Sequence, residues 1–410
     1  MERRFSLAAL FFVVFIDLVG IGIIIPILPI IFLQSNMGHE SAILTKTFLL
    51  GLLLASYPFA QFFGAPILGA LSDKHGRKPM LLISLIGACV GYSLFAIGLM
   101  INNIFLLFFS RILAGFTAGN IAVVKSIIAD KSDEKSKVKN FGLIGMSFGL
   151  GFILGPFLGG VLSDSSLVSW FNIQTPFWFA SLLLFLNSIF VLAFIAETLP
   201  KASKVSITLF TGFKNVKKAF LMPHVGIVFL AYFLFMFGFS FFTQFFPVFL
   251  YDKFSYTSSQ IGMLFAYVGV WIAFAQGVLI RPIAKRFKPH SVLRYSFFAI
   301  SVILLLILIP KKAYELYFIL PFMAICNGMN LPNFSALFSN HAGKDSQGEI
   351  LGIEQSVLSF AMTIPPIIAG ITVSISTSLP ILLGSFFIFI GWLVFAVFYK
   401  EKKKEIFKEV

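Results

Sequence analysis

Cysteine is nearly absent from this chain: the 410 residues hold two, Cys89 and Cys326, each inside an apolar run. That excludes a disulfide-stapled secreted scaffold and leaves no spacing of the kind that holds zinc or an iron–sulfur cluster. Charge is scarce as well, with Asp, Glu, Lys and Arg at 12% against about 25% in ordinary globular proteins. The five histidines, His39, His75, His224, His290 and His341, are scattered through loops or at their edges. No catalytic cluster of His with Cys or acids is therefore expected, no metal site, and no enzyme. Acids are the scarcer sign, and the net charge is +14. Such an excess can mark a nucleic-acid surface, but here the cations gather in short segments between apolar runs, where membrane topology is decided. No nucleic-acid partner is expected.

What fills the chain is apolar. Hydrophobic residues make up 58% of it, and 54 residues are Phe. A soluble protein of this size has too little interior to hide that much apolar surface, so the outside must face lipid. Twelve apolar stretches can each cross about 30 Å of hydrocarbon as a helix: 8–32, 48–71, 79–100, 104–128, 140–162, 176–196, 225–249, 258–280, 292–309, 314–338, 350–375 and 379–399. The first is too long for a signal peptide, carries Asp17 and lacks a small-residue cleavage site.

The cations test this count. With both termini in the cytoplasm, outside loops hold Lys46, Lys253, Lys311 and Lys312, and Arg111 and Lys125 lie within spans. The rest of the 31 Lys and Arg residues fall on the inside, an asymmetry that a missed or invented helix would scramble. The longest polar interval divides the chain into a six-helix bundle over 1–197, a cytoplasmic linker over 198–224, a second six-helix bundle over 225–399 and a basic tail over 400–410. Gly69-Ala-Leu-Ser-Asp73 opens the basic loop of the first half, and Gly277-Val-Leu-Ile-Arg281 echoes it in the second. The expected fold class is an all-α polytopic membrane protein, twelve helices in two pseudo-symmetric bundles. Paired halves around a central site are an architecture of transporters.

Polar residues inside spans need a reason. A carboxylate near mid-membrane costs at least about 2.5–3.5 kcal/mol, so Asp17 must face a cavity or a partner. It reads as a proton carrier, with a structural ion pair or helix-bending group as the other reading. Arg111 opens Arg111-Ile-Leu-Ala-Gly115-Phe-Thr-Ala-Gly119-Asn120. Its guanidinium keeps its proton and must be paired or solvated, either in proton coupling with Asp17 or as a hydrogen-bond hub. The loop Gly69-Ala-Leu-Ser-Asp73-Lys-His-Gly76-Arg77-Lys78-Pro79 reads as an electrostatic latch beside a moving interface. Gly151-Phe-Ile-Leu-Gly155-Pro156-Phe-Leu-Gly159-Gly160 brings helices close and lets one kink at proline. Gly145-Met-Ser147-Phe-Gly149 has the letters of a hydrolase nucleophile elbow, but within a lipid-spanning helix it lacks the strand–turn–helix setting that motif needs. Candidate cavity residues are Tyr57, Gln61, Asn120, Gln244, Gln276, Asn327, Asn330, Glu354 and Gln355; such a residue taken alone is more often a helix–helix hydrogen bond than a ligand contact. With the many Phe side chains they suggest an amphipathic organic substrate.

At these residues the sequence resembles the major facilitator superfamily, and within it the twelve-span drug:proton antiporters that include bacterial tetracycline efflux pumps. The loop from Gly69, the Arg111–Gly119 run, the Gly-Pro-x-x-Gly-Gly string at 155–160 and the acidic stretch from Asp17 to Pro29 carry the likeness. The resemblance implies alternating access around a midplane site, with Asp17 and Arg111 in proton coupling. It further implies that Asp73, Gly76 and Arg77 hold the bundles together when the cavity faces out, and that the kink at Pro156 limits leak. The tetracycline pumps carry further acids in spans three and nine and a His in span seven. Here span three has Gly91-Tyr92, span nine has no acid and span seven is Phe-rich around Gln244. A tetracycline–metal complex is therefore not the expected substrate. Glu354, in span eleven, either pairs with the latch loop or takes part in coupling or binding. Export by proton antiport is the leading expectation, and import of a metabolite or iron chelate by proton symport is the rival. The energy source is the proton gradient, with no cofactor. The expected partners are a small molecule, protons and the lipid bilayer; the expected state is a monomer in a bacterial cytoplasmic membrane.

Overall fold

Apolar runs that cannot hydrogen-bond their backbone to lipid must satisfy it internally, and helices do so residue by residue. The computed structural model describes residues 2–34, 43–131, 147, 149–151, 153–198, 208, 210–223, 225–341 and 347–400, with helices throughout and no strand among them. In chain order they are α1 (Glu2–Ile24), α2 (Leu28–Gln34), α3 (Ile43–His75), α4 (Arg77–Met100), α5 (Ile104–Thr117) and α6 (Asn120–Lys131). Then come α7 (Gly149–Leu162), α8 (Thr175–Phe194), α9 (Thr211–Leu221), α10 (Gly226–Phe254) and α11 (Ser258–Phe274). A π-helical turn at Ala275–Leu279 leads into α12 (Ile280–Arg286), followed by α13 (Pro289–Leu306), α14 (Leu316–His341), α15 (Gln347–Thr372) and α16 (Leu379–Phe398). Among the described residues, nine helical stretches are long and apolar enough to cross a membrane. Span one is interrupted between Ile24 and Leu28, span five is described only from Ser147, and Asn327, Asn330 and Asn333 dilute α14.

Two interruptions differ from the unbroken spans expected of the sequence. Pro26 and Pro29 remove backbone donors where α1 gives way to α2. In span four, Thr117 turns its hydroxyl back to the carbonyls of Leu113 and Ala114, at 2.9 and 3.2 Å, and the chain leaves helical geometry at Ala118 before α6 begins. Back-bonding of this kind bends helices.

The core is largely aromatic. Phe229, Phe235, Phe241, Phe242, Phe245, Phe246 and Phe249 of α10 are all buried, and Phe235 stacks on Phe297 of α13 with ring centres 4.8 Å apart. Span seven is thus Phe-rich because its rings pack into the protein.

The polar interval before α10 contains α9, whose stripe of Gly212, Val216 and Ala219 is buried. Its Phe213 lies 4.9 Å from the ring of Phe62 on α3, and its Asn215 donates to the Ser356 hydroxyl on α15 at 3.0 Å. Lys214, Lys217 and Lys218 face outward. Residues 132–146, most of 199–209 and the tail beyond Lys400 fall outside the described residues, so the expectations placed on Gly145 and the basic tail do too.

Helices α3 and α15 pack along much of their length. At one end Gly51 meets Gly370 so closely that a Cβ on Gly51 would overlap the Pro366 carbonyl oxygen and lie 3.2 Å from Gly370 Cα.

Candidate functional site

Asp17 sits in α1 and is 7% exposed. Asn120, the first residue of α6, faces it closely enough to interact with the carboxyl. The Ile121 N–H donates to Asn120 Oδ1 at 2.9 Å, which leaves the Asn120 amide nitrogen for the carboxylate. The interruption of span four therefore has a chemical result: it sets a helix N-terminus, with its partial positive charge, beside a buried acid. Behind Asp17, Asn187 of α8 donates to the Val13 carbonyl at 3.1 Å. That carbonyl lies one turn before Asp17, so Asn187 braces the turn carrying the acid.

Arg111 is 8% exposed in α5, and its guanidinium carbon lies 4.6 Å from the centre of the Tyr57 ring. Its Nε is buried and makes no hydrogen bond among the described residues. No ion pair joins it to Asp17 among those residues. Tyr57 and Tyr92 instead lie within electrostatic reach of both. Tyr92, which entered the sequence reading only as a departure from the tetracycline pumps, packs its hydroxyl toward Gly20, 3.7 Å from where a Cβ would stand.

The Gly-Pro string of α7 has two faces. Gly151, Gly155 and Gly159 lie against Leu18–Ile23 of α1, and a Cβ on Gly155 would sit 2.7 Å from Gly22 Cα. Pro156 and Gly160 lie against the start of α11, where a Cβ on Gly262 would come 2.5 Å from the Pro156 carbonyl oxygen. One helix thereby touches both the segment after Asp17 and a helix from late in the chain.

The loop after α3 folds on itself. Asp73 pairs with Arg77, and Arg77 also donates to the Ser72 hydroxyl at 2.8 Å. Glu197, just past α8, caps α4: it accepts the Arg77 N–H at 2.9 Å and the Lys78 N–H at 3.2 Å. The Lys78 ammonium donates to the Leu192 carbonyl at 2.8 Å. Gly76 has φ 111°, where L side chains are strained, and a Cβ there would stand 2.5 Å from Glu197 Oε2. Gly69 has open space around it. The sequence reading missed Glu197; its signal was an acid directly after an apolar run, facing a basic loop.

The cavity candidates divide. Gln61 is a tie: its amide nitrogen reaches the Ala118 carbonyl freed by the break, at 3.4 Å, and Ser359 of α15 donates to its oxygen at 3.1 Å. Asn330 is fully buried and takes the Ser296 hydroxyl of α13, which is the helix–helix hydrogen bond that was the other reading of this residue. Glu354 is 7% exposed, accepts a long bond from Ser335 at 3.5 Å and has Tyr232 beside it. Gln276, in the π-helical turn, brings its oxygen toward Gly149, 3.1 Å from where a Cβ would stand. Tyr57, Gln244, Gln276, Asn327 and Gln355 are half-buried, and their side chains make no hydrogen bond among the described residues. Among those residues no cluster of His, Cys, Asp or Glu could hold a metal ion.

The sequence model of the Major Facilitator Superfamily matches residues 10–364, and again 228–409. The chain belongs to the Major Facilitator Superfamily. It is thus a multi-span membrane transporter and not an enzyme. Among its relatives, the class H tetracycline resistance protein of Pasteurella multocida is 30% identical over 91% of this chain and 90% of its own length. The class C tetracycline resistance protein of Escherichia coli is 29% identical over 92% of each. The quinolone resistance protein NorA of Staphylococcus aureus is 29% identical over 91% of each. The major facilitator fold is matched by a D-xylose–proton symporter, with TM-score 0.77 at 14% identity over 97% of this chain and 98% of that one. The human organic anion transporter MFSD10 gives 0.72 at 22%, over 96% and 99%.

Proposed function

We propose that this protein is a proton-coupled antiporter that exports an amphipathic small organic molecule by alternating access. The observation that carries the proposal is Asp17: a buried acid, held by Asn120 at the start of a half-helix, with Arg111 and two tyrosines close by. In the neutral state the carboxyl needs no counter-charge. Once ionised it draws on the α6 N-terminus and the guanidinium. Proton release and substrate capture then compete for one set of donors, which is how antiport is coupled. The buried Nε of Arg111 offers a donor for that exchange. Export is supported by the resistance proteins among the relatives. The departures at Tyr92 and Gln244 argue against a tetracycline–metal complex as cargo.

The reading includes twelve spans in two six-helix bundles, over 1–197 and 225–399, with both termini in the cytoplasm. The protein works as a monomer in the bacterial cytoplasmic membrane, powered by the proton gradient alone. The Gly69–Lys78 loop braces the cytoplasmic side during the cycle, and the half-buried polar residues whose side chains make no hydrogen bond among the described residues, Tyr57, Gln244, Gln276, Asn327 and Gln355, line the substrate path.

The test uses oriented proteoliposomes with a pH dye inside and a panel of dyes, antibiotics, organic acids and iron chelates. Antiport predicts that a compound dissipates an imposed gradient while moving against the protons, and that Asp17→Asn is silent. Joint entry of solute and proton would make the protein an importer. Full activity in the Asn variant would remove Asp17 from coupling.

A further inference from the structure

Helices α13 and α16 pack together but leave a groove of about 350 Å³ between them. Its floor is made by two small residues, Ser301 and Ser385. Both hydroxyls are turned away: Ser385 donates to the Ser301 carbonyl at 2.7 Å, and Ser301 donates to the Phe298 carbonyl at 2.8 Å. The floor is therefore apolar despite its composition. Phe298, Phe386 and Phe389 wall it. From Phe298 to Leu305 it runs about 10 Å along α13, at 1.5 Å per residue. Both helices are apolar enough to span a membrane, and much of α16 is uncovered by protein, so the groove faces lipid tails.

One end is polar. One turn before Phe298, Arg294 donates to the Ala396 carbonyl at 2.8 Å, which occupies part of a guanidinium that carries five N–H donors. His290 lies against Tyr399, with ring centres 5.8 Å apart, and Lys400 is exposed next in the chain. Trp392 fits between Phe298 and Phe389, at 5.0 and 5.3 Å, and its buried indole N–H has no acceptor among the described residues. An exposed cation thus stands one helical turn from the end of a lipid-facing apolar trough.

We propose that this groove is a binding site for an anionic glycerophospholipid, one acyl chain lying between α13 and α16 and the phosphate taken by the exposed Arg294, one turn beyond the Phe298 end. Charge complementarity selects the occupant: a zwitterionic lipid fills the trough as well but gains less from Arg294. The proposal is independent of which solute is carried and in which direction.

The test is native mass spectrometry of the purified full chain in detergent, titrated with phosphatidylglycerol or phosphatidylcholine of identical chains. Wild type should hold phosphatidylglycerol about fivefold more tightly, the weight of one membrane-surface cation. Arg294→Gln should bring the two lipids level, and Lys285→Gln, changing a cation on α12, should leave the preference intact. Val302→Trp should weaken both lipids by blocking the trough. Val302 is 37% exposed, and the variant's thermal midpoint without lipid, expected to match wild type, confirms that it folds. Equal affinity for both lipids in wild type overturns the proposal. So does a preference that survives Arg294→Gln, or undiminished binding in a folded Val302→Trp.

Discussion

Alanine at Gly51 probes whether the α3–α15 crossing belongs to one state of the transporter. The new methyl would overlap the Pro366 carbonyl oxygen and press on Gly370, so the helices must part at that end. Overpacking a tight contact costs about 1–3 kcal/mol. That cost falls on the conformer in which these helix ends are crossed and spares one in which they separate. A bias of that size shifts a two-state ratio about 5–150-fold, enough to depopulate the crossed state. The assay is a spin-label distance between cysteines at Leu44 and Ile375, both exposed at this end, with Cys89 and Cys326 changed to serine. Gly51→Ala and Gly370→Ala should each move the distribution to longer separation and slow transport. A folded pair of variants with the wild-type distribution would refute the idea that this crossing distinguishes states.

Removing the Glu197 cap with Glu197→Ala should cost about 1 kcal/mol, read as a lower thermal midpoint in detergent, and Glu197→Gln, which keeps an acceptor, should recover about half. Gly76→Ala should be worse than Glu197→Ala, by about 1–3 kcal/mol in total, because it adds backbone strain to the collision with the carboxylate; equal midpoints would deny that strain. Asn330→Ala should lower stability and leave KM unchanged, whereas Gln244→Ala should raise KM at unchanged stability. The reverse ordering would sink the division between packing and path residues. Asn187→Ala should weaken proton coupling less than Asp17→Asn and shift the pH dependence of transport, an effect that loss of packing alone does not produce.

The spans were readable because an apolar run of helical length has few other uses, and the family because its motifs keep their spacing. Orientation about each helix axis was not. Gln61, Asn330 and Gln244 look alike in sequence, yet one ties α3 to α15, one is sealed against Ser296 and one is half-buried with no hydrogen bond among the described residues. Composition cannot tell lipid, neighbour and water apart within a single turn of helix. The break at Ala118 was hidden because the turn depends on where Thr117 places its hydroxyl. Glu197 was missed because its partner lies 120 residues earlier in the chain.

The seat of α9 bears on how the polypeptide is assembled. Phe62, which receives Phe213, is synthesised long before α9 emerges, but Ser356, which receives Asn215, comes long after. The connector cannot complete its docking until the penultimate long helix is in the bilayer. It is in effect a register of completion: a nascent or truncated product lacking α15 would leave α9, with its lysines and an uncovered apolar stripe, available to quality-control proteases.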